Sequence, residues 1–463
     1  MNRILLLLVI FLLSDYLPAV AQHNVNYNDV AVVINLNSDS SQIIADYFIA
    51  KRKIPAVNVI RVNVTTDEEV NDSTFKDYAR QIKEYLNAHD LQDTINYIVT
   101  TKGCPLKVAR TNVDCNASAE SELMLMTVSY EDYYMGDCTS FNDIATDNFL
   151  TNPYYNATDS FFKQGFQIYL VTRLDAYSVQ EVLNLIDNSG PNVFVDRDSA
   201  LFVLDQSPNW SGNPLNSAMG TAATILTNRG WNVLLNTDSI YVTDQKNVLG
   251  YVSWGSNDGF SQHYTTNAIP HNTWVKGSIA ETHVSTSGRS LQPNTTYGQS
   301  LIADWIKEGV SGIKGYVYEP FTVAIAISSI LFDRYTDLKT DGSPKYNLAQ
   351  SYFSASRMIG WMDVVIGDPK TSITTNLGLS NRIVEPSTVS FRLFPNPAMD
   401  KLYVVSPDAR IRDLIIYDLN GQRLIEAQQS GIGSINIGHL PKGMYIAEVN
   451  SAGKSEKMRW VKL

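Results

Sequence analysis

Cysteine is scarce in this 463-residue chain, which has three: Cys104, Cys115 and Cys138, with no Cys-x-x-Cys spacing. That excludes a disulfide-built scaffold and a cysteine-type zinc module. In an oxidising compartment one pair is expected, Cys115 with Cys138, closing a loop within a single insertion and leaving Cys104 as a small buried hydrophobe. Histidine is also sparse, at six residues, and neither His-Glu-x-x-His nor Gly-x-Ser-x-Gly occurs. The zincin and nucleophile-elbow routes to hydrolysis therefore have no motif behind them. Beyond the N-terminus no segment reaches the ~20 apolar residues of a membrane-spanning helix. Basic residues are outnumbered 36 to 47, a net charge of −11. The deficit is uneven: residues 388–463 carry +3 and the rest −14. An acidic body repels phosphate backbones, so nucleic acid is not an expected partner.

The chain nevertheless has the makings of a folded, exported protein. Apolar residues make up 44% and charged residues 18%, the balance of an ordinary globular chain. Residues 1–21 read as a secretory signal peptide, with Arg3, an apolar run from Ile4 to Leu13, and Ala19-Val20-Ala21 before the cut. From residue 22 strand and helix signals alternate: DVAVVINL, SDSSQIIADYFIAKRK, AVNVIRVNV, DSTFKDYARQIKEYLNAH and INYIVTTKG. Strands that are apolar throughout, separated by helices, indicate an α/β fold with a doubly wound, mostly parallel sheet covered on both faces. A polar insertion over 112–163 is expected as an excursion over one edge. The alternation resumes with FQIYLVTRLDA and runs to WMDVVIGDPKTSI, giving two α/β sub-domains, 22–190 and 191–380, or one wide sheet. Over 388–463 short alternating runs separated by Asn420-Gly421, Pro and Gly predict a small β-sandwich.

Ligands of open α/β sheets bind beyond the carboxyl ends of the strands. Three strands end in polar clusters. GYVSWGSNDG supplies Trp254, Ser256, Asn257 and Asp258; GSIAETHVSTSGRS supplies Glu281, His283, Ser285, Ser287 and Arg289; GIKGYVYEPF supplies Glu319. Two earlier strands end in Lys102 and in Arg173 with Asp175. Together these are the candidate ligand-binding residues. A hydrolase would draw on Ser285 as nucleophile, His263, His271 or His283 as base, and Asp258 or Glu281 to orient it. On a strand, His283 and Ser285 stand about 7 Å apart, which is far for a direct bond. A metal centre would draw on Asp258, Glu281, His283 and His263, although whether a metal or other cofactor is present is left open. The competing structural reading pairs Glu281 with Arg289 and has His283 satisfy a backbone carbonyl.

Three resemblances add to this. FPNPAMDKLYV, YDLNGQRL, LPKGMYIAEV and the terminal KMRWVKL resemble the C-terminal sorting domain of the type IX secretion system of Bacteroidetes-type bacteria. That resemblance implies passage through the periplasm, recognition by the type IX machinery, and release or attachment at the cell surface. YVSWGSNDG, THVSTSG, GIKGYVYEPF and VVIGDP resemble the caspase-like fold of gingipain-type cysteine peptidases over about 200–375. Aligned with that family, Trp254 stands where its catalytic His belongs and Ser285 where its Cys belongs, so the resemblance does not carry the peptidase dyad. YIVTTKGCPLKV and LVTRLDAYSVQEVLNLID are similar to segments of a secreted bacterial family noted beside exosortase-type sorting systems, which has no established activity. The expectation is a secreted or surface protein that binds a peptide or glycan at its strand ends, with the hydrolase as the alternative.

Overall fold

The computed structural model describes residues 25–126, 151–258, 268–376, 392–394, 396–405, 413–419, 421–428, 433–451 and 454–463. The expected leader, Cys138 and His263 lie outside the described residues, as do the side chains of Ser256 and Asp258.

Ten strands form one sheet: β1 (Val30–Asn35), β2 (Val59–Val62), β3 (Tyr97–Thr101), β4 (Leu170–Leu174), β5 (Leu201–Asp205), β6 (Asn232–Asn236), β7 (Val248–Ser253), β8 (Trp274–Thr282), β9 (Gly312–Tyr316) and β10 (Asp363–Gly367). Their order is β6-β5-β7-β8-β9-β10-β4-β3-β1-β2. Strands from before and after residue 190 thus share a single sheet. Every neighbouring pair is parallel except β9 and β10. Five strands therefore run one way and five the other, and their carboxyl ends lie at opposite edges. β1, β3, β4 and β7 are buried at every position, as their mostly apolar sequences lead one to expect of strands covered on both faces.

The longer helices are α1 (Asp39–Arg52), α2 (Asp72–Ala88), α3 (Val179–Asn188), α4 (Pro214–Asn228), α5 (Ile302–Glu308), α6 (Ser328–Tyr335) and α7 (Leu348–Ala355). Their starts are encoded locally. Ser178 and Glu181 close a capping box at α3, and Asn213 caps α4 ahead of Pro214. Helix α7 lies in a stretch that the strand–helix reading passes over, although Asn347 and Gln350 form a second capping box there.

The described parts of the 112–163 insertion do not simply overlie an edge. Cys115, Leu123, Met124 and Tyr154 are fully buried, and the short helix Ala119–Leu123 turns Glu120 and Glu122 inward to Arg173 and Arg110. Cys115 is disulfide-bonded, and Cys104 is free and buried.

The C-terminal region is a separate antiparallel unit of two sheets. One contains β11 (Arg392–Phe394), β12 (Lys401–Val405) and β15 (Gly433–Asn436). The other contains β13 (Asp413–Tyr417), β14 (Arg423–Gln428), β16 (Gly443–Ser451) and β17 (Lys454–Lys462). Leu402, Val404, Ile416, Ala447, Val449 and Trp460 form its core. Gly421 takes φ +82° in the β13–β14 turn, where the Asn-Gly signal lies. Among the described residues no helix is long and apolar enough to cross a membrane.

Candidate functional site

β7, β8 and β9 end side by side at one edge of the sheet, and local hydrogen bonds fix how each chain leaves it. At the end of β7, Ser253 Oγ donates to Asp205 Oδ2 at 2.7 Å and accepts from the Gly255 amide at 2.7 Å. Gly255 has φ +52°, and a Cβ there would stand 2.6 Å from Ser300 Oγ, so the turn requires glycine. That turn sets Trp254, whose indole donates to Asn216 Oδ1 at 2.6 Å and lies flat on Trp210, with centroids 4.6 Å apart and an interplanar angle of 4°. Trp210 in turn donates to the Asn257 carbonyl, and Asn257 Nδ2 donates to the His283 carbonyl. The His283 amide continues the β7–β8 ladder by donating to the Ser253 carbonyl, and its ring meets Trp254 edge to face at 4.9 Å.

Beneath this aromatic layer lies a cluster of buried charge. Glu281 Oε1 accepts from Tyr316 Oη at 2.6 Å and from the Ala326 amide at 2.8 Å, while Oε2 has no partner. Lys314 Nζ donates to the Ala324 carbonyl and Ser356 Oγ, both at 2.8 Å, and lies 3.4 Å from Asp363 Oδ2. Burial drives the Glu281 carboxyl up to about 7, against the pull of Lys314. Burial, reinforced by Lys314, drives the His283 imidazole down to about 3. His283 is therefore neutral at pH 7, is 3% exposed, and among the described residues has no hydrogen-bond partner at either ring nitrogen.

His283 lines a cavity of about 90 Å³. Trp210, Trp254, Pro320 and Ile325 supply apolar lining, with Ser285, Tyr316 and Glu319 also bordering it. The structure thus brings together Trp254, Asn257, His283, Ser285 and Glu319 from the sequence-based candidates. Ser287 is buried beside them and accepts from the Tyr316 amide. Glu281 sits behind Tyr316 and off the lining.

Other candidates go elsewhere. Lys102 follows β3 and Arg173 lies near the end of β4, strands that run the other way, and both spend their donors on the protein. Lys102 Nζ donates to Asp175 Oδ1 and to the Ala176 and Leu291 carbonyls. Arg173 contacts Asp175, Glu120 and the carbonyls of Cys104 and Pro105. The expected convergence of five strand ends is corrected to three, because the antiparallel β9–β10 junction reverses half the sheet. Arg289 does not pair with Glu281: it stacks on the Tyr297 ring at 4.2 Å, and Tyr316 takes the place expected for it. The exposed His271 lies 3.5 Å from Glu308. Among the described residues no group of three His, Cys, Asp or Glu side chains converges as a metal site would require.

Four members of the site escaped the sequence reading: Trp210, Lys314, Tyr316 and Asp363. Trp210 had a visible signal, an aromatic among turn residues in SPNWSGNP directly after a strand. Lys314, Tyr316 and Asp363 lie inside strands, where sequence alone gives no hint of a buried charge cluster.

Residues 392–462 match the family described as the secretion system C-terminal sorting domain. The tail is a type IX sorting domain, recognised by that secretion machinery, and it marks the protein for the cell surface or exterior. No curated protein matches the chain. Among solved structures, the crystal structure of an engineered protein is similar at 10% identity and a TM-score of 0.24, over 91% of this chain and 80% of that one, too low a score to assign a fold.

Proposed function

We propose that the body of this secreted protein binds a polar group of a peptide or glycan ligand in the cavity at the ends of β7, β8 and β9. One observation carries the proposal: His283 is buried and neutral, and both its ring nitrogens lack a partner beside a cavity. A buried polar group without a partner is rare and costly, and a ligand that hydrogen-bonds the imidazole accounts for it. At about 90 Å³ the cavity admits one side-chain-sized group rather than a whole ligand.

The body is read as a gingipain-like relative that has lost its peptidase dyad, and as kin of the exosortase-associated family. Support comes from Trp254 and Ser285, the two positions aligned with that dyad, which line the same cavity. The leader at 1–21, the Bacteroidetes-type origin and the 22–190, 191–380 and 388–463 divisions belong to the same reading. The test is nuclear magnetic resonance of the full chain with ¹⁵N-labelled histidine, titrated with acetamide and with glycerol. The expected result is a saturable shift of the His283 ring signals, assigned by their loss in His283→Gln. If neither probe shifts them, the reading fails.

A second reading, a serine hydrolase, is favoured by the presence of Ser285 and His283 on one cavity. Against it, a base held near 3 accepts a proton poorly at neutral pH, where an effective general base lies close to the working pH. Ser285 also has no hydrogen bond to His283, whose ring nitrogens are both unpartnered. Fluorophosphonate labelling that disappears in Ser285→Ala would establish the hydrolase instead.

A further inference from the structure

A second, larger cavity, of about 350 Å³, lies at the same edge beyond β5 and β6, against the first turns of α4. Its polar lining is supplied by Gln206, Ser207, Ser211, Asn216, Ser217 and Thr237, and no Lys, Arg, His, Asp or Glu borders it. We propose that this cavity, with Trp210 between its lining residues Pro208 and Ser211 in the chain, is a binding site for a neutral oligosaccharide. The site adds to the ligand reading above and does not depend on His283.

Three features select that chemistry. The first is the hydroxyls: those of Ser211, Ser217 and Thr237 are exposed and make no hydrogen bond to the described protein, so each can both donate to and accept from a sugar hydroxyl. The amides are already committed and act as a rigid frame. Gln206 Nε2 donates to the Asn216 carbonyl, and Asn216 Nδ2 donates to the Ser207 and Trp210 carbonyls.

The second feature is the platform. Pro208 and Ser211 border the cavity and flank Trp210, which is 37% exposed. One face of its ring is pinned against Trp254 and its indole nitrogen is bonded to the Asn257 carbonyl, so the ring is held in a fixed orientation next to Ser211 in the chain. A flat apolar ring next to donor–acceptor groups matches the two kinds of surface on a pyranose, its C–H face and its hydroxyl rim.

The third feature is charge. The buried carboxylate of Asp205 lies immediately before Gln206 at the end of β5. The first turn of α4 offers little to an anion, because Asn213 already receives the Leu215 and Asn216 amides. Both facts, with a body at net −14, disfavour an acidic sugar.

The test is tryptophan fluorescence and calorimetry on the full chain with cellotriose, maltotriose and triacetylchitotriose, with trigalacturonic acid as the anionic comparator. Saturable binding of at least one neutral trisaccharide is expected. Gly220→Leu fills the cavity without strain: the position is helical, a Cβ there meets only Gln206 Nε2 at 3.7 Å, and leucine favours the helix. This variant should fold as the native chain does and weaken binding at least about tenfold, since it occupies the space the ligand needs. Ser217→Ala, which leaves the space open, should weaken it about fivefold through one lost hydrogen bond. Absence of binding by all three neutral sugars, native affinity in Gly220→Leu, or equal binding of trigalacturonic acid would each overturn the proposal. The histidine titration reports on the other cavity, so the two readings fail separately.

Discussion

The two halves of the sheet bury charge in contrasting ways. Behind the ends of β3 and β4, Arg173 and Lys102 have every donor engaged, and Glu120 Oε2 alone among the contacted groups is left without a partner. At the ends of β7, β8 and β9, Glu281 Oε2 and both His283 nitrogens are unpartnered beside or behind a cavity. The first cluster is closed and holds the fold together. The second retains unused hydrogen-bonding capacity, and His283 carries part of it at a residue that lines a cavity. Residue type does not separate them, since each contains a basic residue and carboxylates. What separates them is whether the protein itself supplies the partners.

The contrast is broken most severely at the closed cluster. Arg173→Met strands Glu120 as a buried carboxylate without its cation and leaves Asp175 with Lys102 alone, and should cost about 3–5 kcal/mol in urea unfolding. A cost below about 1 kcal/mol would mean that the cluster is open to water.

At the open cluster the larger effect is on pH dependence. Between pH 4.5 and 6.5 the native chain keeps a proton on Glu281 that the unfolded chain releases. Over the same window the unfolded chain carries a proton on His283 that the native chain lacks. The first makes stability fall as pH rises and the second makes it rise, so the two slopes oppose each other. Glu281→Gln should therefore gain, relative to the native chain, a slope of about +1.4 kcal/mol per pH unit, and His283→Gln a slope of about −1.4. Unchanged slopes in both variants would show that neither group is shifted.

A smaller effect is expected at the platform. Trp210→Ala uncovers one face of Trp254 and should cost about 1 kcal/mol, read as a lower urea midpoint with an unchanged slope. The smallest is Ser285→Ala, whose hydroxyl is half-buried: stability should stay within about 0.5 kcal/mol, and neither form should label with fluorophosphonate.

Sequence periodicity located the strands and most helices because each is locally encoded. The apolar run of VAVVIN and the Ser178–Glu181 box are readable without knowing the rest of the fold. Strand direction is not local. Nothing in GIKGY or DVVIG says that β9 and β10 pair antiparallel, so Lys102 and Arg173 looked like partners of His283 while ending at the opposite edge. The site was legible as far as Trp254, His283 and Ser285, which lie in polar stretches just past strand ends. It was illegible for Lys314, Tyr316 and Asp363, whose role depends on which strands become neighbours.

The account rests on His283 being buried, neutral and unpartnered, and the pH titration of its ring nitrogens in ¹⁵N-histidine-labelled protein tests this directly. The structure predicts a neutral imidazole throughout the neutral and mildly acidic range, with a midpoint of about 3. A midpoint near the ordinary 6.5 would mean that water or a protein partner already reaches the ring, and would contradict the binding site built upon it.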